Sequence, residues 1–149
     1  TPLLRFLEKR AVVIGGGVNH RFGLYDMILI KDNHVDYAGS ISQAVSNALQ
    51  YKIQKGIQIP IEVEVRNFEE LNELLACSGV DRVMFDNFTP EDIKKAVMLV
   101  GDRMITEASG GITLSTIRSY ALSGVNYVSV GALTHSVKSL DLSLKAKLI

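Results

Sequence analysis

The sequence predicts an α/β domain with parallel strands. Short apolar runs rich in β-branched residues alternate with amphipathic helical stretches, and only brief turns separate them. Capping residues open several helical stretches, and glycines follow them. Because a helix between two strands carries the chain back to its starting edge, neighbouring strands are expected to be parallel.

Five short runs are the predicted strands, and each is apolar enough for a strand that is buried on both faces. They lie at residues 27–30, 61–65, 82–85, 104–107 and 127–130.

Between the strands, apolar residues recur with the period of a helix. One face holds Ile41, Ala44, Val45, Ala48, Leu49 and Ile53, and the next helix holds Phe68, Leu71, Leu74 and Leu75. Asn67 and Thr89, the latter followed by Pro90, are the predicted N-caps. Helices should end near Gly56, Gly79, Gly101 and Gly124, and residues 3–13 predict one further helix that ends at the glycines 15–17.

Chain length limits how complete the fold can be. The chain has 149 residues, whereas an eight-stranded α/β barrel needs about 250. Apolar and polar residues alternate over 140–148, which is typical of a half-buried strand, yet no partner strand is evident. We therefore expect part of the natural protein to be absent. Residues 1–139 would form an open doubly wound sheet or an incomplete barrel, and residues 140–149 a C-terminal strand.

Composition argues against several classes of function. Sixteen basic residues balance sixteen acidic ones, so no net charge favours nucleic acid or an anionic membrane. No apolar run approaches the roughly 18 residues of a membrane span. Cys77 is the only cysteine, which suits a reducing compartment. We expect a cytoplasmic protein that binds neither nucleic acid nor membrane.

The carboxyl ends of the predicted strands are polar, and ligands of parallel α/β folds bind at such ends. Glu62 and Glu64 share one side of their strand, and Asp86 ends the next strand. A glutamate and Asp86 are therefore expected to lie across one mouth, where carboxylates hold Mg²⁺, accept ribose hydroxyls or stabilise positive charge. A salt-bridged pair on the rim is the alternative.

Two glycine turns are candidate phosphate sites. Ser109, Gly110 and Gly111 follow the fourth strand, and Gly131 and Ala132 follow the fifth, with His135 close behind. A glycine turn that runs into a helix points unhindered N–H groups outward at the positive end of the helix dipole. The alternative is that these glycines serve the backbone turn alone.

A cationic group flanks the first strand and consists of His20, Arg21 and Lys31. Arg21 suits a carboxylate held by two parallel hydrogen bonds, and Lys31 suits a second anion. Spacing alone leaves the role of His20 open, since a histidine near a loop is usually structural.

These residues belong to a longer pattern. Residues 15–34 read GGGVNHRFGLYDMILIKDNH, which strongly resembles the signature of the quinolinate phosphoribosyltransferases, also called nicotinate-nucleotide pyrophosphorylases. Further matches in family order are TPLLRFLEKRAV at the start, IEVEV at Ile61, FDNF at Phe85, EASGGIT at Glu107 and GVNYVSVGALTHSVKSLDLSL from Gly124. The resemblance covers essentially the whole chain.

The resemblance implies a partial TIM-like α/β barrel and an enzyme of NAD biosynthesis. Phosphoribose would pass from phosphoribosyl pyrophosphate to the ring nitrogen of quinolinate, giving nicotinate mononucleotide, pyrophosphate and carbon dioxide. By resemblance, His20, Arg21 and Lys31 bind the dicarboxylate and neighbouring phosphates, and Lys31, Glu64 and Asp86 are catalytic. Glu64 and Asp86 engage Mg²⁺ and the ribose, whereas Ser109, Gly110, Gly111, Gly131, Ala132 and His135 hold the phosphate end. A homodimer or a higher homo-oligomer is expected.

The chain departs from the family upstream. Members carry a Thr-Arg-Lys-Thr segment before the stretch that matches Thr1, and ahead of it a domain that caps the barrel of a partner subunit. Both are missing here, and Leu3 replaces the usual glycine. These absences put the activity of the chain alone in question. The alternatives are a related barrel with another substrate, such as the molybdenum-transport-associated relatives, and an inert fragment or interaction module.

Overall fold

The computed structural model describes residues 2–147 and contains alternating helices and strands. In chain order these are α1 (Arg5–Ile14), β1 (Ile28–Ile30), α2 (Asp32–Ala38), α3 (Ile41–Lys55), β2 (Ile61–Val65), α4 (Phe68–Leu75), β3 (Arg82–Asp86), α5 (Pro90–Val100), β4 (Ile105–Ser109), α6 (Ile117–Ala121), β5 (Tyr127–Val128) and α7 (Ala132–His135). All five predicted strands are present, with ends that differ from the prediction by at most two residues.

The described residues form two compact units. His20–Val130 is the larger unit and contains all five strands together with α2 to α6. The smaller unit combines residues 2–19 with residues 131–147 and contains α1 and α7, which contact each other. No helix in the described part of the chain is long and apolar enough to cross a membrane.

The sheet of the larger unit is entirely parallel, and its strands lie side by side in sequence order from β1 to β5. A doubly wound sheet reverses its strand order partway, whereas sequential right-handed crossovers place every helix on the same face. The order therefore decides between the two predicted architectures in favour of the barrel type.

The two faces of the sheet differ in chemistry. The helix face carries the apolar core, in which Ile61, Val63, Val65, Val83 and Phe85 are fully buried against the helices. The opposite face, here called the polar face, holds Leu29, Glu62, Glu64, Arg82, Met84, Asp86, Ile105, Glu107, Ser109 and Tyr127, as the strand register shows. The prediction of strands buried on both faces is correct for β2, in which all five residues are buried, although the residues on its polar face are charged.

The predicted caps lie where the sequence places them. The Asn67 side chain accepts from Glu70 N at 2.8 Å, and Thr89 Oγ1 accepts from Asp92 N at 3.1 Å. Gly56 and Gly101 are C-caps with positive φ, whereas Gly79 and Gly124 lie a few residues beyond their helices.

Ile53 is an exception on the predicted buried face of α3, because it is exposed. A helix of 15 residues is about 22 Å long, whereas a strand of five residues spans about 17 Å. The last turn of α3 therefore extends past the sheet that the first turns cover.

The alternating segment near the C-terminus forms no strand within the described residues. Residues 136–147 have no strand partner there, and Leu140, Leu142 and Leu144 are exposed. A strand exists only by pairing with another strand, so the predicted pairing outside this chain stays a prediction. Leu148 lies outside the described residues.

Candidate active site

Three predicted site residues meet at the carboxyl edge of the sheet. Lys31 follows β1 directly, and its Nζ lies 3.6 Å from Glu64 Oε2 on β2. The Glu64 carboxylate is largely buried, whereas Lys31 is half-exposed. Asp86 ends β3 on the same face and is close enough to Glu64 to act on it electrostatically. The structure thus brings Glu64 and Asp86 together, as strand alternation predicts, and it places Lys31 beside Glu64.

Burial raises the pKa of Glu64 above its ordinary value. Lys31 lowers the pKa, and the negative charges of Asp86 and Asp32 raise it further. A carboxylate kept partly out of water beside two other carboxylates gains from any cation that approaches it. The electrostatics of this edge therefore favour a bound cation.

Glu62, two residues before Glu64 on the same face, has a different environment. Its Oε2 atom lies 2.7 Å from His20 Nε2, and its side chain is fully buried. Glu107 on β4 is also buried, and it accepts a hydrogen bond from the Ser129 hydroxyl. Burial raises the pKa of Glu107, and the negative charge of Glu62 raises it further. His20 therefore contacts a buried pair of carboxyl groups, Glu62 and Glu107, on the polar face of the sheet.

The turn after β4 is built around two glycines with positive φ, Gly110 at 99° and Gly111 at 59°. Asn87, which also has positive φ, packs directly on Gly110. Asn87 N donates to Ser109 O at 2.9 Å, and Asn87 Nδ2 donates to Asp86 Oδ2 at 2.7 Å. Asn87 therefore links the Asp86 carboxylate to the Ser109–Gly110 backbone.

The two glycine turns differ in how they meet a helix, because Gly131 is the N-cap of α7 whereas Gly111 does not lead directly into α6. A hydroxyl-rich turn over residues 113–116 separates Gly111 from α6, and α6 has only five residues. The helix after Gly131 has only four. Short helices carry little aligned dipole. Any anion held after β4 would therefore rest on the backbone geometry of Gly110 and Gly111.

Arg21 lies in the loop that leads into β1. Its guanidinium donates to Met27 O at 3.3 Å. The loop is held by Asp26, whose carboxylate accepts from Phe22 N at 2.6 Å and from Gly23 N at 2.8 Å. These bonds fix the backbone that follows Arg21.

Three predicted phosphate residues, Gly131, Ala132 and His135, belong to the smaller unit. Within it, His135 folds back over Gly131, and its Nδ1 lies 2.8 Å from Ser136 Oγ. Gly131 leaves room for this ring, because a Cβ there would meet the imidazole. That these residues share a phosphate with Ser109–Gly111 stays a prediction.

Sequence reasoning placed Asn87 and Glu107 at the polar ends of the strands without assigning them a role, and it missed Asp26 and Ser129. Glu107 carried a usable signal, because it precedes the Ser109 turn by two residues and so shares its strand face. Asn87 also carried one, since asparagine is enriched at positive φ after a strand. Asp26 and Ser129 act through contacts that strand or helix periodicity does not encode.

The described cavities lie beside this edge of the sheet and do not contain it. A groove of about 520 Å³ borders β1, α2 and α3 and is lined mainly by apolar residues such as Ile28, Ala44 and Tyr51. A smaller hollow of about 280 Å³ is lined by Arg66, Asn87 and neighbouring residues after β2 and β3. The charged cluster of Lys31, Glu64 and Asp86 is part of neither lining.

Known proteins of the same fold carry the same sequence pattern. A probable carboxylating nicotinate-nucleotide pyrophosphorylase of Bacillus subtilis (strain 168) is 51% identical over 148 residues, which are 99% of this chain and 50% of the relative. A chloroplastic nicotinate-nucleotide pyrophosphorylase of Arabidopsis thaliana is 48% identical, over 97% of this chain and 45% of the relative. The chain thus spans about half the length of the curated relatives it matches.

Solved structures agree with this similarity. NadC from Streptococcus pyogenes matches with a TM-score of 0.88 at 43% identity, over 98% of this chain and 50% of that chain. The nicotinate-nucleotide pyrophosphorylase from Francisella tularensis has a TM-score of 0.88 at 43% identity, over 96% of this chain and 49% of that chain. Residues 1–145 match the family described as quinolinate phosphoribosyl transferase, C-terminal domain. The chain belongs to the quinolinate phosphoribosyltransferase family and carries its C-terminal, α/β barrel domain.

Proposed function

We propose that the protein carrying this chain is a quinolinate phosphoribosyltransferase that makes nicotinate mononucleotide from quinolinate and phosphoribosyl pyrophosphate. One observation carries the proposal: Lys31, Glu64 and Asp86 meet at the edge of the sheet where the glycine turn after Ser109 begins. Both substrates are anions, and the reaction develops positive charge between them. Cations and a glycine turn at this edge can bind the two anionic substrates, and the carboxylates can stabilise the positive charge that develops between them.

The reaction makes two bonds and breaks two. The ring nitrogen of quinolinate forms a bond to C1 of the ribose as pyrophosphate departs with the electrons of the C1–O bond. The bond to the adjacent carboxylate then breaks, its electron pair enters the pyridinium ring, and carbon dioxide leaves. A proton taken up at the vacated carbon completes nicotinate mononucleotide. The protein therefore has to position two anions and balance charge, with no covalent intermediate of its own.

Each site residue has a role that follows from its charge. Glu64 and Asp86 stabilise the positive charge that develops on the ribose as pyrophosphate leaves. Arg21, from the loop before β1, binds a quinolinate carboxylate through two parallel hydrogen bonds. Lys31, which is half-exposed beside Glu64, presents its ammonium to a second anionic group. His20 contributes a further contact to the dicarboxylate.

Mg²⁺ fits this donor set, because oxygen ligands from carboxylates are those it prefers. Glu64 and Asp86 are the residues that would hold it, and the carboxylate of Asp32 is close enough to act on Glu64 electrostatically. When bound, Mg²⁺ supplies countercharge for the departing pyrophosphate. The negative charges of Asp86 and Asp32 near Glu64 support this assignment, since a carboxylate with negative neighbours is stabilised by a cation.

Location and assembly belong to the proposal as well. We propose a cytoplasmic protein, with no nucleic acid or membrane as partner, that acts as a homodimer or a higher homo-oligomer. The zero formal net charge of the sequence supports the absence of a nucleic-acid partner. Location varies among relatives, since those of Arabidopsis and tobacco include proteins named chloroplastic and mitochondrial.

The test is nicotinate mononucleotide formation from quinolinate, phosphoribosyl pyrophosphate and Mg²⁺. It compares this chain with a form extended upstream to the length of the relatives. We expect activity in the extended form and little in the chain alone, because this chain spans about half the length of each relative. Turnover of neither form, with both folded, would point to another substrate or to an inert relative.

Arg21→Ala tests the assignment of quinolinate recognition in the extended form. Loss of a charged, bidentate contact is worth about 1.5–3 kcal/mol, so the KM for quinolinate should rise about 10-fold to 100-fold. Arg82→Ala is the matched control. Arg82 is the first residue of β3 on the polar face, whereas Asp86 is the last, and the Arg82 guanidinium lies over the ring of Tyr127. An unchanged KM in Arg21→Ala would refute the role of Arg21.

A further inference from the structure

The buried carboxyl pair behind His20 has no place in the reaction described above. Glu62 on β2 and Glu107 on β4 are 0% and 3% exposed, and neither belongs to the cluster of Lys31, Glu64 and Asp86. Two ionised carboxylates this close inside a protein repel each other strongly. Something has to neutralise one of them.

A proton on Glu107 would remove the conflict. Glu62 Oε2 lies 2.7 Å from His20 Nε2, whereas Glu62 Oε1 is buried and has no hydrogen-bond partner among the described residues. An unpaired buried oxygen of this kind is costly. Burial and the charge of Glu62 raise the pKa of Glu107, which makes it the acid that keeps its proton. Its hydroxyl can then donate to Glu62.

We propose that Glu62 is a positioning residue for His20, and that protonated Glu107, held by Ser129, fixes Glu62 in turn. The chain of contacts runs from the Ser129 hydroxyl through Glu107 and Glu62 to the imidazole. His20 is 27% exposed, so its ring stands between this buried chain and the solvent. A ring held in one orientation presents the same face to a bound dicarboxylate on every encounter. Only this contact between His20 and the dicarboxylate rests on the proposed function.

The surroundings of Glu107 limit the alternatives. The groups that face it are Glu62 from β2, Met84 from β3, Tyr127 and Ser129 at β5, and His20 from the preceding loop. His20, Glu62 and Glu107 each offer an atom within 4.8 Å of the others, a spacing that would also suit a divalent cation. A proton shared by Glu62 and Glu107 and a cation bound between them predict opposite effects of Glu107→Gln.

Glu107→Gln separates the two explanations. The amide has nearly the shape of the acid and always carries hydrogens, so it replaces the shared proton but removes a cation ligand. If a proton joins the pair, Glu107→Gln behaves like the wild type, and Glu107→Leu does not. If a cation binds between Glu62 and Glu107, both variants lose the contact of Glu62 with His20, and the proposal is overturned.

The first measurement is made on the chain itself and needs no substrate. The sequence has three histidines, so the ring nitrogens of His20 can be assigned in long-range ¹H–¹⁵N spectra. We expect a persistent proton on His20 Nε2 in the wild type and in Glu107→Gln, because each keeps the Glu62 acceptor in place. Glu62→Leu should lose it, since the acceptor is gone. Persistence of that proton in Glu62→Leu would contradict the proposal.

The second measurement is steady-state kinetics in the extended form. Glu62→Leu should raise the KM for quinolinate about tenfold or more, because an unheld ring binds the dicarboxylate less well, and should leave the KM for phosphoribosyl pyrophosphate unchanged. Glu62→Gln, which still offers an acceptor, should recover most of the loss. Equal effects on both KM values would mean general disruption of the site and would contradict a positioning role.

Thr106→Val is the matched control. Thr106 is one residue before Glu107 on β4, is buried, and bonds Asn126 on the other face of the sheet. Its loss should reduce stability without changing the His20 spectrum or the KM for quinolinate. If the wild type itself neither binds nor turns over quinolinate, the proposed function fails, but the ring-nitrogen spectra still decide the role of Glu62.

Discussion

Gly110 shows how one residue shapes the turn after β4. A Cβ added there would come within 2.7 Å of the backbone nitrogen of Asn87, and φ is 99°. Gly110→Ala should therefore combine overpacking with backbone strain and cost about 2–4 kcal/mol of stability. Urea unfolding measures this cost. Because Asn87 also holds Asp86, we expect the same variant to weaken any phosphate or Mg²⁺ binding at this edge.

Gly111→Ala is the control for that variant. Gly111 also has positive φ, at 59°, but a Cβ there would meet open space. Only the strain of a left-handed residue remains, which is worth about 1–2 kcal/mol. Equal losses in the two variants would show that contact with Asn87 does not matter.

Glu107 should leave a pH dependence in stability. Its pKa is raised in the folded protein by burial and by Glu62, so the folded state keeps a proton that the unfolded state loses. Stability should therefore be highest below the ordinary pKa of about 4.5, fall as pH rises towards the raised value, and then level off. Glu107→Gln cannot lose a proton and should lack this fall.

The measurement is the difference in unfolding free energy between Glu107→Gln and the wild type, taken across the mildly acidic range. Glu64 also has a raised pKa, but it is present in both proteins and cancels in the difference. We expect the variant to gain on the wild type as pH rises. A difference that does not depend on pH would mean that Glu107 is ionised alike in both states.

How far sequence predicts the site depends on the kind of contact. Strand periodicity was enough to bring Glu64 and Asp86 to one edge, because alternate residues share a face. It could not choose between the environments of Glu62 and Glu64, since the partners of each come from other segments. Asp26 and Ser129 were missed for the same reason: their partners are fixed by tertiary structure.

At the scale of helices and strands, the strands were the most predictable part. Buried β-branched runs such as Val63 to Val65 on β2 have few alternatives to a central strand. The short helix α2 was missed, because it begins directly after β1 with polar residues that resemble a loop. Its start is stabilised by Lys31 N, which donates to His34 Nδ1 at 2.9 Å. Such a local contact overrides weak helical propensity.

The entry into α1 contains a strained residue. Leu3 has φ of 65°, a region that disfavours side chains and favours glycine. Leu3→Gly should remove about 1–2 kcal/mol of strain and lose part of that gain to the flexibility of the unfolded chain. We expect a net stabilisation of about 0.5–1 kcal/mol.

Hydrogen exchange of the α1 amides measures this effect locally. Leu4→Gly is the control, because Leu4 has an ordinary φ of −96° and glycine there adds only flexibility. Slower exchange in Leu3→Gly together with unchanged or faster exchange in Leu4→Gly is the expected pattern. Slower exchange in neither would mean that the strain at Leu3 is not felt by the helix.

At the scale of the molecule, strand order carries more information than strand count. Five parallel strands in sequence order belong to a barrel-type sheet, and the chain spans about half of its relatives. Sequence alone left the doubly wound alternative open, because hydrophobic period does not encode which strands are neighbours. The family motifs and the observed order both favour the barrel type.

The C-terminal segment should promote self-association. Leu140, Leu142 and Leu144 are 79%, 84% and 103% exposed, and they alternate with polar residues as one face of a strand would. An apolar strand face without a partner is a site for pairing with another chain. Replacing all three with serine should therefore shift the chain towards monomer in sedimentation velocity.

As a control, serine at Leu24, Leu114 and Leu122 removes comparably exposed leucines that are scattered in sequence, and it should change association little. Equal effects of the two triple variants would assign self-association to general hydrophobicity, and a monomeric wild type at all concentrations would refute the prediction.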